Sequence, residues 1–200
     1  GLEDLNLSMA ITTDQHTKEL FDLIGSKAQM KHIKLENFDL RPLDPLHLAT
    51  TLCSLESVNL KHVKLSSLQE EKLFCALAGN KKIRKLSIKL SHEIKVDPIT
   101  FSSGVNGLEE AHFGDYDESA IVSKLFDAML LGTNIKKLTI GGNLEEINTE
   151  TLITVINNLQ EADLGDRLSP GTLQKLFLSM TEATNLKALS ICGDFPMVDS

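Results

Sequence analysis

Eight stretches of the form Leu-x-x-Leu-x-Leu, with apolar replacements, recur along this chain of 200 residues. They begin at Leu2, Met30, Leu55, Ile83, Leu108, Ile135, Leu159 and Leu186, so successive starts lie 28, 25, 28, 25, 27, 24 and 27 residues apart. A fixed period of this length constrains the fold more than chain length does. One such unit cannot bury its apolar face alone and must stack on its neighbours. The first, fourth and sixth residues of each stretch face a common core, as in Ile83/Leu86/Ile88 and Leu108/Ala111/Phe113. The third, fifth and seventh face the other way, because side chains alternate across a strand. Stacked about 4.8 Å apart, such strands form a parallel sheet, with helices returning along the opposite side. The wider helical layer predicts an arc with the sheet on its inside.

Between the strands lie segments of helical periodicity, each after a polar or glycine-bearing turn. Asp14 to Lys27 carries Leu20, Phe21, Leu23 and Ile24 at helical spacing, with Asp14 as the expected N-cap. Asp44-Pro45 and Asp97-Pro98 each place a capping carboxylate before a proline at the first helical position, where its missing N–H costs nothing. Ser67 to Ala78 shows Leu68, Leu73, Phe74 and Leu77 on one face. Asp117 to Leu131 is the longest helix, and Thr149 to Asn157 and Ser169-Pro170 to Met180 complete the set. The period alternates: units starting at Leu2, Leu55, Leu108 and Leu159 carry the longer helices. The repeat is therefore a long/short pair, four times over. Residues 1–200 read as one domain, and because neither end shows a polar capping unit, as a piece of a longer array or multidomain protein.

Net charge is −8, with both signs mixed along the length. That balance argues against a dominant phosphate-binding surface, and no aromatic stacking residues accompany the lysines, so nucleic acid is not the expected partner. No run approaches the roughly 18 apolar residues of a membrane helix, and no basic-then-apolar segment opens the chain. Cys53, Cys75 and Cys192 are odd in number and lack metal-ligand spacing. Cys53 and Cys75 fall at apolar helical positions, where a thiol behaves as a small hydrophobe. A reducing, cytoplasmic setting is expected.

The charges themselves are ordered. Strands of long units are acidic (Glu3-Asp4, Glu56, Glu109-Glu110, Glu161), and strands of short units are basic (Lys31-His32, Arg84-Lys85, Lys136-Lys137, Lys187). Adjacent strands thus present opposite signs at matching positions. One expectation is a ladder of cross-strand ion pairs, each worth roughly 0.2–1 kcal/mol, that holds register. The other is a charge-patterned surface that steers a protein partner. Lys34, Lys61, Lys85 and Lys89 are expected to form a basic centre on strands two to four. His112, Lys137 and Asp163 extend the surface toward its acidic end, and Tyr116 is the aromatic anchor candidate just beyond strand five. Phe38 and Phe113 read as core.

Nothing in the chain spells a catalytic, cofactor or metal site. None of the six histidines stands at ligand spacing from another His or a Cys, and Gly141-Gly142-Asn143 lacks the lysine and helix of a phosphate loop. Ser, His and Asp are too scattered to assemble a triad. The reading is a non-enzyme.

The strand stretches, the Leu73-Phe74-Cys75-Ala76-Leu77-Ala78-Gly79-Asn80 type of helix ending and the long/short alternation resemble the leucine-rich repeat family, in its ribonuclease-inhibitor-like subtype, over essentially the whole chain. The resemblance implies an α/β horseshoe solenoid of eight repeats, with a parallel sheet on the concave face and helices on the convex face. It implies a protein-binding module, such as the sensor or regulatory region of an intracellular innate immune receptor with a nucleotide-binding module upstream. Alternatives within it are the substrate-recognition region of a ubiquitin-ligase adaptor of F-box type, or a structural array self-associating through uncapped ends. Secreted members carry disulfide-bonded caps, and none is visible. One hallmark is mostly missing. Where the family ladders Asn or Cys after the strand, this chain has Ala10, Phe38, Val63, Ser91, Tyr116, Arg167 and Asp194, and only Asn143 fits.

Overall fold

The computed structural model describes residues 1–8, 13–90, 96–114, 119–165, 168–180 and 185–191. Strands and helices alternate throughout, in the order β1 (Asp4–Ser8), α1 (Asp14–Ser26), β2 (His32–Glu36), α2 (Pro45–Cys53), β3 (Ser57–Lys61), α3 (Ser67–Gly79), β4 (Lys85–Ile88) and α4 (Pro98–Asn106), then β5 (Glu110–Phe113), α5 (Ser119–Leu130), β6 (Lys137–Ile140), α6 (Thr149–Asn157), β7 (Glu161–Leu164), α7 (Pro170–Met180) and β8 (Ala188–Ile191). The strands form one open parallel sheet in sequence order, β1 to β8, a repeat-like α/β solenoid arrangement. All eight expected strands are present in the expected register, Leu5↔Ile33, Ile33↔Val58, Val58↔Leu86 and onward to Ala162↔Leu189.

A chain of backbone bonds explains why register holds across the sheet. The carbonyl of the second residue in each strand stretch accepts two N–H groups from the next stretch. Lys31 and His32 donate to Glu3 at 2.8 and 3.1 Å, Glu56 and Ser57 to Lys31, Arg84 and Lys85 to Glu56, and so on to Lys187 and Ala188 on Gln160. The inward residues then align as one continuous core with the helices. Phe21, Leu35, Leu52, Leu55, Phe74, Phe113, Phe126 and Leu176 are fully buried within it, and so is Phe38. The end strands are less covered: Leu5, Leu7, Leu189 and Ile191 are half-buried, and Leu2, expected inward, is 59% exposed.

Each helix packs on the next. At α3 and α4 the approach is set by Gly104, where a Cβ would come within 3.0 Å of the Phe74 carbonyl, while the Phe74 and Phe101 rings stack at 4.5 Å between centroids. Asp44 and Asp97 cap α2 and α4 as expected, accepting from the N–H of His47, and from Ile99 and Thr100. The cap of α1 is Thr13, one residue earlier than expected, its hydroxyl accepting from His16 N–H. Two expected core positions are also displaced. Leu68 and Leu23 point outward, and on α3 the first turn instead buries Gln69 and Glu70. Cys53 is buried, which pushes its thiol up to about 12, whereas Cys75 faces solvent rather than the core.

The missing asparagine ladder has identifiable substitutes. Phe38 fills its turn with an apolar ring while Leu40 N–H and Lys64 N–H bridge neighbouring turns through Lys64 and Phe38 carbonyls. The Gln69 amide donates to the Leu40 and Leu43 carbonyls at 2.7 and 2.9 Å. Between helix ends and the next unit, Asn80 donates to the Cys53 carbonyl and Asn134 to that of Asn106, both at 2.8 Å. Asn143, the one residue matching the pattern, accepts from Glu145 N–H within its own turn.

Candidate partner-binding face

The sheet face away from the helices is lined by three rows of side chains. The third-position row reads Asp4, His32, Ser57, Lys85, Glu110, Lys137, Glu161 and Ala188 across β1 to β8. The fifth-position row reads Asn6, Lys34, Asn59, Ser87, His112, Thr139, Asp163 and Ser190. Together, from β3 to β8, these rows line a trough of about 550 Å³ whose floor includes Val58, Leu86 and Ala162.

Most of the charge along this face is paired. Lys31 reaches Glu3 at 2.8 Å, Lys61 reaches Glu36 at 2.8 Å, Lys85 reaches Glu110 at 2.9 Å and Lys137 reaches Glu161 at 2.9 Å. At the second position Arg84 holds Glu109 at 2.8 Å while Lys136 approaches the other oxygen at 3.8 Å. The hydrogen bond from Lys31 holds the Glu3 carboxyl below the ordinary range, and that from Lys61 does the same for Glu36. The Glu161 carboxylate in turn raises Lys137. Every pair remains open to water, so each adds little to stability.

These pairs divide the expected basic centre. Of Lys34, Lys61, Lys85 and Lys89, two are neutralised by carboxylates on an adjoining strand, and only Lys34 and Lys89 form no ion pair among the described residues. Lys34 is half-buried between Asn6 and Asn59 in the fifth-position row. Lys85, His112, Lys137 and Asp163 line the trough, with His112 and Asp163 exposed and without hydrogen-bond partners among the described residues. Tyr116 lies outside the described residues, as does Arg167. Ser87, His112 and Asp163 share a row, but no hydrogen bond joins them, and no group of three or more His, Cys, Asp or Glu that could hold a metal exists among the described residues.

The seventh position differs from the rest: Lys61 and Lys89 within it are sequence candidates, but its run of glycines is not. It carries Glu36 and Lys61 on β2 and β3, Lys89 after β4, then glycine three times, at Gly114, Gly141 and Gly165. At Gly165 the close approach is obligatory, because a Cβ would lie 2.5 Å from Gly142 N. A second recess, about 430 Å³, opens at this end of β3 to β5 between Lys61, His62, Lys89 and His112. His62 sits there on a left-handed backbone, φ 52°, a conformation rare outside glycine though less so for histidine. Beside it the Asn59 Oδ1 is buried and meets no donor. A column-by-column alignment of the eight stretches exposes the glycine run; the orphaned acceptor is visible only in three dimensions.

No helix among the described residues is long and apolar enough to cross a membrane. No family model matches the chain, and no curated protein matches it. The chain is similar in fold to the crystal structure of a protein from Bacteroides fragilis solved by a structural genomics consortium, with a TM-score of 0.54 at 13% sequence identity. The likeness covers 94% of this chain and 65% of that one, so the chain spans just under two thirds of its length, and what the two share is the fold.

Proposed function

We propose that the chain is a leucine-rich repeat array of the ribonuclease-inhibitor-like type that binds a protein partner along its strand face, with no chemistry of its own. The observation that carries this reading is the trough from β3 to β8, open along its length and lined by side chains that a rigid sheet holds in register. Paired charges along its walls favour orientation and partner choice over bulk affinity. A cytoplasmic setting suits it: Cys53 and Cys75 are both free thiols. A sensor or regulatory region of an intracellular immune receptor is the role that fits such a face.

Site-specific photo-crosslinking tests the reading. A photoreactive residue at Thr139, in the trough, should give discrete protein adducts in a cell extract, and one at Lys175, exposed on α7, should not. Equal labelling from both positions overturns it. A second reading, self-association through the end strands, is favoured by the half-exposed Leu5, Leu7, Leu189 and Ile191. A strict monomer over a wide concentration range in sedimentation removes it.

A further inference from the structure

We propose that the recess over the β3–β4 junction is an anion site, taking a phosphate or carboxylate carried on an acidic segment of a protein partner. The inference rests on the strand-face reading and adds the chemistry of what is bound. Among the six junctions from β1 to β7, this is the one with no cross-strand ion pair among the described residues. Lys31–Glu3 and Lys61–Glu36 span the first two, Lys85–Glu110, Lys136–Glu109 and Lys137–Glu161 the last three. Glu56 and Arg84 flank the junction without forming an ion pair with each other; Arg84 turns instead to Glu109.

One residue beyond the registered pair Leu60↔Ile88, Lys61 ends β3 and Lys89 follows β4, and the two like charges line one recess. That arrangement opposes folding unless something negative stands between them. The described lining residues supply nothing negative: Lys61, His62, Lys89 and His112 surround the recess with Asn59 and Ser87, and none is a carboxylate. Lys61 is partly occupied by Glu36, which leaves Lys89 as the principal cation.

Shape defines how the anion is carried: the recess joins the trough, because Asn59, Ser87 and His112 line both. A chain anchored by its anion at Lys89 therefore continues over the fifth-position row, and glycine at Gly114 leaves the flank beside Lys89 clear.

The test is an NMR titration of the isotopically labelled protein with inorganic phosphate, and separately with acetate, at constant ionic strength. Saturable shifts in the millimolar range are expected at the amides of His62, Lys89 and Gly114. Lys89→Gln should weaken phosphate binding about fivefold, and Lys85→Gln, whose cation is already paired, less than about twofold. Asn59→Asp, which sets a negative charge against the ligand, should abolish it. Shifts that never saturate, or that spread equally over Lys81, Lys82 and Lys124, overturn the inference, as does an unchanged affinity in Lys89→Gln. A short phosphoserine peptide that binds no more tightly than inorganic phosphate overturns the assignment to a protein segment, and tighter binding of that peptide supports it. The two readings fail separately. Loss of the phosphate site with strand-face crosslinks retained sinks only this inference; loss of the crosslinks with the phosphate site retained sinks the partner reading.

Discussion

The β4–β5 and β3–β4 junctions share strand β4, the same backbone pattern and the same apolar inner face, yet their outer faces are opposite in character. At β4–β5, Arg84 and Lys85 meet Glu109 and Glu110 in two ion pairs of 2.8 and 2.9 Å. At β3–β4, Lys61 and Lys89 line one recess; Lys61 pairs back to Glu36 on β2, and Lys89 forms no ion pair among the described residues. The sheet continues through both without a break in register. Outer-face charge therefore does not hold the strands together here. The inner face and the backbone do, and the outer face tolerates either state.

The largest effect should come from the element that both junctions share. Leu86→Ala, at a position 2% exposed, should cost about 2–5 kcal/mol in urea denaturation, the usual range for a buried leucine truncated to alanine. A loss no larger than that of an outer-face pair would break the comparison. Next comes Glu110→Lys, which sets three cations in a row with Lys85 and Lys137 and should cost roughly 1–2 kcal/mol, partly recovered by adding Lys85→Glu.

A pH titration separates paired from unpaired junctions. Glu3 and Glu36 have folded-state values below the ordinary 4.5, so the stability they supply is complete above that value and is lost as pH falls through the lowered folded ones. Amide protection between β1, β2 and β3, corrected for the intrinsic exchange rate at each pH, should fall on acidification, while that between β3 and β4 should change less. The smallest effect is expected for Lys89→Ser, within about 0.5 kcal/mol, favourable at low salt and fading as screening removes its repulsion with Lys61. A clear destabilisation by this change would show that Lys89 has a structural partner after all.

The architecture was legible because it is written many times over. Eight apolar stretches at a regular period leave one way to bury them, and the alternating signs at Glu3, Lys31, Glu56, Arg84, Glu109 and Lys136 follow from aligning the stretches. Single events were less legible. Thr13 rather than Asp14 caps α1 because the two neighbours compete for one role and either side chain can accept from the helix N-terminus. Gln69 is buried because it satisfies two carbonyls of another turn, a long-range bargain that helical periodicity cannot see. The candidate site failed to appear as drawn for a similar reason. A lysine's charge is read from one letter, but whether it is spent depends on the neighbouring strand, which is why Lys85 and Lys89 look alike in sequence and differ in the fold.

Strands laid down in strict sequence order have a mechanical and kinetic corollary. Each one pairs with the strand before it and the strand after it, with no pairing between distant strands among the described residues. Folding can start at any well-packed neighbour pair and spread both ways. Pulled from its two ends, such a molecule should come apart unit by unit, a staircase of small yields instead of one cooperative rupture.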